Sequence, residues 1–481
     1  MSFSFLWYDL ETFGLHPQWD RIAQFGALRT NAKFEEISEP VDLYCRLPPD
    51  YVPQPEACLV SGITPQDVNS AGLCERDFAA RIYAEMTQSG TCTAGFNNLK
   101  FDDEFIRALL YRNFYDPYKR EYDEGRARWD ILNLLRMCRD LRPGGILWPY
   151  DEQQQRPVFR LGELTAANGI PHQNAHNALA DVRATIAVAK LVHEKQPRLF
   201  SYYFGLRKKD QARRMLSLQA MKPVVHSSVM FSSPWGCSSI ILPLSVDPQH
   251  SNRIIACDLR EDPSDWVDLP VQEIRRRVFT SREELGDAQR IPLKGVHVNR
   301  SPAIAPLSTL EEERAKALHI DVKACLEHAE ILRSRPDLIQ KIRAVYADPP
   351  RRTPVDVDLK IYSGDFFPDE DRAEFEALRA AGPQSLLAQP PRFYDSRGPE
   401  MLWRYIARNF PDSLPEADKQ KWRSFCASRI LTPEPQGAMD IGGYMREVRN
   451  RLGRIDTPAG DKVILKKLLE YGEYLEKMIL S

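Results

Sequence analysis

The stretch FLWYDLETFG, residues 5–14, decides how the rest of the chain is read. With Phe3 and Ser4 before it, its front half is short, aromatic and apolar, and a glycine soon follows, which is the pattern of a β-strand. Successive strand side chains point to opposite faces, so Asp9 and Glu11 point the same way. Two like charges side by side at the end of a buried strand repel each other. Something must neutralise them, or they must stand at the open edge of a sheet, in water.

The bulk numbers set bounds. A chain of 481 residues is too long for one core, and predicts about two to four domains. Hydrophobic content of 43 % and charged content of 27 % are those of an ordinary soluble protein. The formal net charge of -2 is far from that of a protein basic all over, so any nucleic-acid contact must use local patches. The nine cysteines include no Cys-x-x-Cys pair, which argues against a zinc site of that type. Their odd number and the chain's size favour a reducing compartment. No basic segment followed by a long apolar run opens the chain, so no signal peptide is expected. No stretch approaches about 18 apolar residues, so no membrane span is expected either. A cytoplasmic protein is the expectation.

The first part of the chain alternates. Strands are predicted at 3–10, 22–30, 41–47 and 92–96, and helices at 77–88, 102–113, 129–140 and 177–194. This predicts a mixed sheet covered by helices. From about residue 197 the runs VVHSSVMFSS, CSSIILPLSV, RIIACDL and PLKGVHVNRSPAIAP are short and β-like. A small β-rich unit is predicted there, with helices at about 310–346. The proline-rich ADPPRRTPVDVD, residues 347–358, reads as a linker, and the pattern beyond it is helical.

Asp9 and Glu11 are not alone. AGFNNLKFDDEF, residues 94–105, ends a short strand and opens a helix with Asp102 and Asp103. NAHNALADVRAT, residues 174–185, supplies His176 and Asp181. Each has an ordinary reading. An aspartate at a helix start caps it, because its oxygens accept orphan backbone N–H groups. A histidine before a helix is commonly a surface residue, and an aspartate within one lies on a solvated face. The aspartate–glutamate pair is harder to dismiss, because it ends an apolar strand.

Together these stretches resemble the DEDDh exonucleases, which have an RNase H-like fold and cut nucleic acids from the 3′ end. In that resemblance Asp9, Glu11, Asp102 and Asp181 match the metal-binding carboxylates and His176 the general base. The Asn98-x-x-Phe101-Asp102 spacing selects Asp102 over Asp103, and the four-residue gap selects His176 over His172. Phe13 stands where many members have a threonine, which alters a wall of the terminal-nucleotide pocket. The chemistry needs this set. Four ionised carboxylates share a site only if cations hold them, and hard oxygen ligands select Mg²⁺ or Mn²⁺. Two such ions about 4 Å apart stabilise both the attacking and the leaving oxygen of a phosphodiester. Water, as nucleophile, needs a proton acceptor near neutral pH, and a histidine with a free pKa of about 6.5 suits it.

The resemblance narrows to the bacterial exonuclease I family. DLETFGLHPQWDRIAQFGALRT, PDYVPQPEACLVSGITPQ, YRNFYDPY, RWDILNLLRMCRDLRPGGILWP, FRLGELTAANGI, KLVHEKQPRLF and LQAMKPVVH carry it. It spans nearly the whole chain and weakens after about residue 360. It implies an α/β exonuclease domain at 1–195, an SH3-like β-rich domain at 197–350 and a C-terminal α-helical domain at 354–481. It also implies processive 3′→5′ degradation of single-stranded DNA to 5′-mononucleotides, with two Mg²⁺ ions that Mn²⁺ replaces, in DNA repair and recombination. Implied partners are single-stranded DNA and the C-terminal tail of single-stranded DNA-binding protein. Nothing demands a dimer, so a monomer is expected. Arg160, in FRLGELT, matches a DNA-contacting position. Glu11 and Phe13 complete the expected substrate-binding set.

Further DNA contacts are sought in basic and aromatic residues. LRKKDQARR, residues 206–214, is the strongest basic run, equally readable as a solvated helix face. Arg275–Arg277 and Arg351–Arg352 are weaker, and Trp129 reads first as core. Arg142, in LRPGG, is a candidate for holding the acidic tail. Competing readings are an exoribonuclease or proofreading exonuclease, a binding scaffold on an inactive nuclease fold, and a small-phosphoester hydrolase. The additional domains argue against the first and last. The presence of all five site residues argues against the scaffold.

Overall fold

A computed structural model of the chain describes residues 3–172, 176–347, 354–435 and 437–480. The chain forms two compact units. One draws on residues 1–127, 173–183 and 352–481, the other on residues 128–172 and 184–351.

In the first unit, strand β1 (Ser4–Thr12) pairs antiparallel with β2 (Ile22–Thr30) and parallel with β4 (Thr91–Gly95). β3 (Val41–Tyr44) lies outside β2, giving the order β3-β2-β1-β4. Every residue of β2 is buried, as befits a strand covered on both faces. The even face of β1, Leu6, Tyr8 and Leu10, packs with Phe78, Ile82, Phe105, Ile106 and Leu109. The latter come from α3 (Glu75–Met86) and α4 (Asp102–Arg112). The odd face carries Phe5 and Trp7, which meet Phe34, and then Asp9 and Glu11. The strands and helices expected here are present, with β3 shorter than expected. Two further helices, α1 (Pro55–Ser61) and α2 (Pro65–Ala71), were not expected. Each is two turns long and starts on a proline, where the missing N–H costs nothing. Thr64 and Asp67 close a capping box on α2.

The second unit holds a five-stranded antiparallel sheet. Its strands run in the order Leu293–His297, Arg253–Asp258, Ser238–Val246, Val224–Ser227, Ala303–Pro306. Ile240, Leu242 and Ile255 from the sheet bury against Ile274, Leu332 and Ile342 from the helices beside it. The β-rich region does not begin at 197 as expected: helices Pro197–Gly205 and Lys209–Met215 come first. The apolar residues of PRLFSYYFG suit either period, and the aromatic core decides. Trp129, fully buried, packs against Phe200, Tyr203 and Phe204, all on that helix. Much of the expected linker, residues 348–353, lies outside the described residues, as do Arg351 and Arg352.

Beyond Val357 the chain is helical, as expected, with long helices Gly398–Asn409, Glu416–Leu431, Ile441–Leu452 and Ala459–Leu480. These return to the first unit. Tyr444, Leu468 and Leu475 share a core with Phe13, Trp19, Tyr51 and Val68. Buried charges join the same parts. Arg408 Nη2 lies 2.7 Å from Asp50 and 2.5 Å from Asp358. Arg429 Nε is 3.4 Å from Asp50, and Arg404 Nη1 is 3.3 Å from Asp358. Burial alone raises the pKa of both aspartates, but the surrounding guanidiniums, Arg408 first, outweigh it and hold both below the carboxylate range.

Removing one partner of a buried ion pair strands the other. Arg408→Met is expected to cost about 3–5 kcal/mol in urea unfolding. Because Asp50 and Asp358 are depressed when folded, their contribution is present above the ordinary aspartate pKa of about 3.9 and lost as pH falls below it. The gap in urea midpoint between the unsubstituted chain and Arg408→Met should therefore narrow as pH falls below about 3.9. An unchanged gap would remove the network from the account of stability.

Candidate active site

The site is built on the end of β1. Its parallel pairing with β4 stops at Trp7↔Ala94, while the antiparallel pairing with β2 continues through Asp9↔Gly26 and Glu11↔Gln24. From Tyr8 onward one edge of β1 therefore faces the turn from β4 into α4. Gly95, the last residue of β4, leads into that turn, and a Cβ there would come within 2.8 Å of the Tyr8 carbonyl oxygen. The freed Leu10 N–H donates to Asp102 Oδ1 at 3.1 Å. Asp102 is the first residue of α4 and is 4 % exposed, so its carboxylate is tied to the backbone between Asp9 and Glu11.

Asp181 arrives through a different close approach. The helix Ala178–Lys195 starts directly over β2, and a Cβ on Gly26 would lie 2.5 Å from the Leu179 nitrogen. Only glycine permits this packing. Gln24 Oε1 accepts from the Ala178 N–H at 3.3 Å, and Asn177 caps the helix by accepting from the Ala180 N–H at 3.2 Å. Gly26 and Gln24 are the partners of Asp9 and Glu11 on β1, so the first turn of this helix delivers Asp181 to the same place. Asp9, Glu11 and Asp181 each offer a ligand atom, all within 4.8 Å of one another.

The electrostatics match a cation site. Neither Asp9 nor Glu11 is ion-paired with a described residue. Burial first, then Asp102, Asp181 and Glu11, raise Asp9 well above the carboxylate range. Glu11 is pushed up to about 8 by burial, then by Asp181 and Asp102. Carboxylates this close and this shielded from water hold protons unless a cation replaces them. An all-oxygen donor set of this kind fits a hard divalent metal.

Comparison with known proteins places this geometry. Residues 6–189 match the family model described as Exonuclease. Residues 207–348 match the Exonuclease I SH3-like domain, and residues 355–475 the Exonuclease I C-terminal domain. Exodeoxyribonuclease I of Escherichia coli (strain K12) is 42% identical over 471 residues, 98% of both chains. The chain belongs to the exonuclease I family. A crystal structure of E. coli exonuclease I in complex with a dA16 oligonucleotide superposes with a TM-score of 0.94 at 42% identity, covering 98% of this chain and 100% of that one. The zinc ion bound form of the E. coli enzyme with single-stranded DNA gives 0.93 at 41% identity, covering 99% and 100%. The fold expected for the exonuclease I family, an exonuclease domain followed by SH3-like and C-terminal domains, is thus present, and divalent-metal dependence goes with it.

The remaining expected residues stand as follows. His176 is exposed in a turn with φ of 68°, an uncommon backbone for a non-glycine residue, and bonds to none of the described residues. The residues just before it, 173–175, lie outside the described ones. Phe13 is 1 % exposed, and its carbonyl accepts from Tyr51 Oη at 2.9 Å, so it sits in the core. Its ring can only back a pocket from within. Arg160 is exposed and ion-paired with Glu163. In the basic run, Arg207 stacks on Phe204, 3.6 Å from the ring centre, while Lys208, Lys209, Arg213 and Arg214 are exposed. Arg142 pairs with Glu311 at 3.0 Å. Sequence reading overlooked Gly26 and Gln24, whose only mark is their place opposite Asp9 and Glu11 once β1 and β2 are paired.

A carboxyl whose pKa rises on folding makes the folded state bind more protons than the unfolded one, so stability falls as pH rises. For Glu11 the window runs from the ordinary value near 4.3 up to about 8. The metal-free protein should melt at progressively lower temperature across that window. Asp9→Asn should flatten the trend, and millimolar Mg²⁺ or Mn²⁺ should restore the loss in the unsubstituted chain. A melting temperature that ignores both pH and metal would contradict the assignment.

Proposed function

We propose that this member of the exonuclease I family is a metal-dependent 3′→5′ exodeoxyribonuclease. It degrades single-stranded DNA processively to 5′-mononucleotides and serves DNA repair and recombination in the cytoplasm. The observation that carries the reading is the convergence of Asp9, Glu11 and Asp181, with Asp102 anchored to Leu10 beside them. Relatives solved with a dA16 oligonucleotide and with single-stranded DNA support the substrate.

Asp9, Glu11, Asp102 and Asp181 would hold two Mg²⁺ ions, with Mn²⁺ as substitute. When bound, the metal supplies charge stabilisation for the attacking and leaving oxygens of the phosphodiester. His176 takes the proton from the water that attacks the terminal phosphorus. The bond to the 3′ oxygen of the preceding nucleotide breaks, leaving a 3′-hydroxyl strand end and a 5′-mononucleotide. An exposed histidine in a turn is free to reach a water on the solvent side of the carboxylates. Glu11 also contacts the terminal nucleotide, Phe13 backs its pocket, and Arg160 contacts the DNA.

The organisation proposed is an exonuclease domain at 1–195, an SH3-like domain at 197–350 and a helical domain at 354–481. The protein acts as a monomer and docks the acidic C-terminal tail of single-stranded DNA-binding protein. Among the described residues no helix is long and apolar enough to cross a membrane.

The test follows 5′-labelled single-stranded DNA, single-stranded RNA and duplex DNA with Mg²⁺ or EDTA. The expected result is a ladder shortening from the 3′ end on single-stranded DNA alone, abolished by EDTA and by Asp9→Ala. His176→Ala should slow it by about 10²–10⁴-fold, the span of general-base contributions. Equal or better RNA cleavage would assign an exoribonuclease instead. Binding without cleavage under any divalent ion would leave only a scaffold.

A further inference from the structure

We propose that Tyr8, Asp103 and Arg120 form a buried positioning device that sets the distance between β1 and the first turn of α4, and so between Asp9 and Glu11 on one side and Asp102 on the other. This rests on the four-carboxylate reading of the site. Tyr8 Oη donates to Asp103 Oδ1 at 2.6 Å, and Arg120 Nη2 donates to the same oxygen at 2.9 Å. Asp103 and Arg120 are both 0 % exposed, and Tyr8 is 1 % exposed. Tyr8 immediately precedes Asp9, and Asp103 immediately follows Asp102. Two rungs therefore join the same two segments: Tyr8 to Asp103, and the Leu10 N–H to Asp102 at 3.1 Å. A strand and a helix start tied at two successive points can neither slide nor pivot against each other.

The usual duties of these residue types do not account for them. An aspartate in a first helical turn commonly serves the cap, yet α4 has no side-chain cap, and the Asp103 carboxylate is turned to Tyr8 and Arg120. The Asp103 N–H is satisfied by the Asn98 carbonyl at 2.9 Å. Stability does not explain them either. A fully buried ion pair is often no better than apolar packing of the same volume, because both charges lose water. What such a pair does provide is one geometry, since a misplaced partner leaves a buried charge unpaired.

Arg120 is itself held from behind. It stands in the short 3-10 turn Lys119–Glu121, and Glu121 binds Arg107 of α4 through Oε1 at 2.7 Å and Oε2 at 2.9 Å. Arg107 also reaches Glu104 at 3.0 Å. The turn is thus clamped to α4 at its first and second turns. The Glu121 contact holds the turn that carries Arg120 against α4.

Tyr8→Phe removes the phenolic rung and leaves the ring in the core. Outer contacts that orient metal ligands are worth about 10–100-fold in metal affinity or activity. Tyr8→Phe in the full chain is expected to weaken Mn²⁺ binding, read by electron paramagnetic resonance without DNA, by about 10-fold. It should lower kcat by a similar factor, with KM for single-stranded DNA within about 2-fold and a nearly unchanged melting temperature. Asp103→Asn keeps an acceptor for Tyr8 and should retain more Mn²⁺ affinity than Asp103→Leu, which keeps none. A melting-temperature change in Tyr8→Phe with Mn²⁺ affinity and kcat both unaltered would reduce the triad to a structural role and overturn the proposal. Asp9→Asn is the control: Mn²⁺ binding that survives it refutes the underlying site, whatever Tyr8→Phe does.

Discussion

Carboxylates that repel one another must be gathered by groups other than themselves. Here the backbone does it. β1 sends Asp9 and Glu11 to one face by simple alternation, and the end of its pairing with β4 frees the Leu10 N–H for Asp102. Gly26 lets the helix carrying Asp181 touch down on β2 beside them. Each device is short-range and stiff, which suits the task. A hydrogen bond to a backbone N–H or a contact without a Cβ leaves little room to relax under repulsion. Burial first, and then the repulsion, show as raised protonation of Asp9 and Glu11.

A second set of charges solves the opposite problem. Around Asp50 and Asp358 the arginines outnumber and surround the acids, so these carboxylates stay ionised although fully buried. The network links Asp50, in the loop before α1, to helices near the end of the chain. Its neighbour, the core around Phe13, Trp19, Tyr51 and Tyr444, holds the loop that follows Glu11. Asp20 fastens that loop by accepting from the His16 N–H at 2.8 Å and from Tyr51 Oη at 2.9 Å, packed so tightly that a Cβ on Gly14 would overlap it. The C-terminal helices therefore share the core that holds the loop leaving β1.

Local pattern made much of this legible. The apolar run before Asp9 and the alanine-rich period of residues 177–194 identify their elements, because burial imposes those patterns directly. The five candidate site residues were named from the family resemblance that their types and spacing carry. The Asn98-x-x-Phe101-Asp102 spacing chose Asp102 over Asp103, but sequence could not say what Asp103 does instead, since only the turn of α4 points one carboxylate to the Leu10 N–H and the other to Tyr8 and Arg120. Helices α1 and α2 escaped because two turns are too short for a period to show. The Arg408–Asp50 contact joins residues 358 positions apart, and nothing local marks either end. The helices at 197–215 were hidden by aromatic residues that serve a strand equally well.

The two charge sets also explain why the fold tolerates a site that works against it. Stability in the metal-free chain falls as Asp9 and Glu11 are forced to ionise, whereas the Asp50–Asp358 network contributes fully over the same range of pH, well above its own depressed titration. The network's own pH dependence has the opposite sign but lies below about 3.9, and both sets of charges belong to one compact unit. Where a destabilising cluster is needed for function, compensation close by in the same unit is more effective than compensation elsewhere, because local opening is governed by local contacts. The buried arginines belong to the same compact unit as the strand that carries the acids, and they fasten Asp50, in the loop before α1, to the helices near the end of the chain.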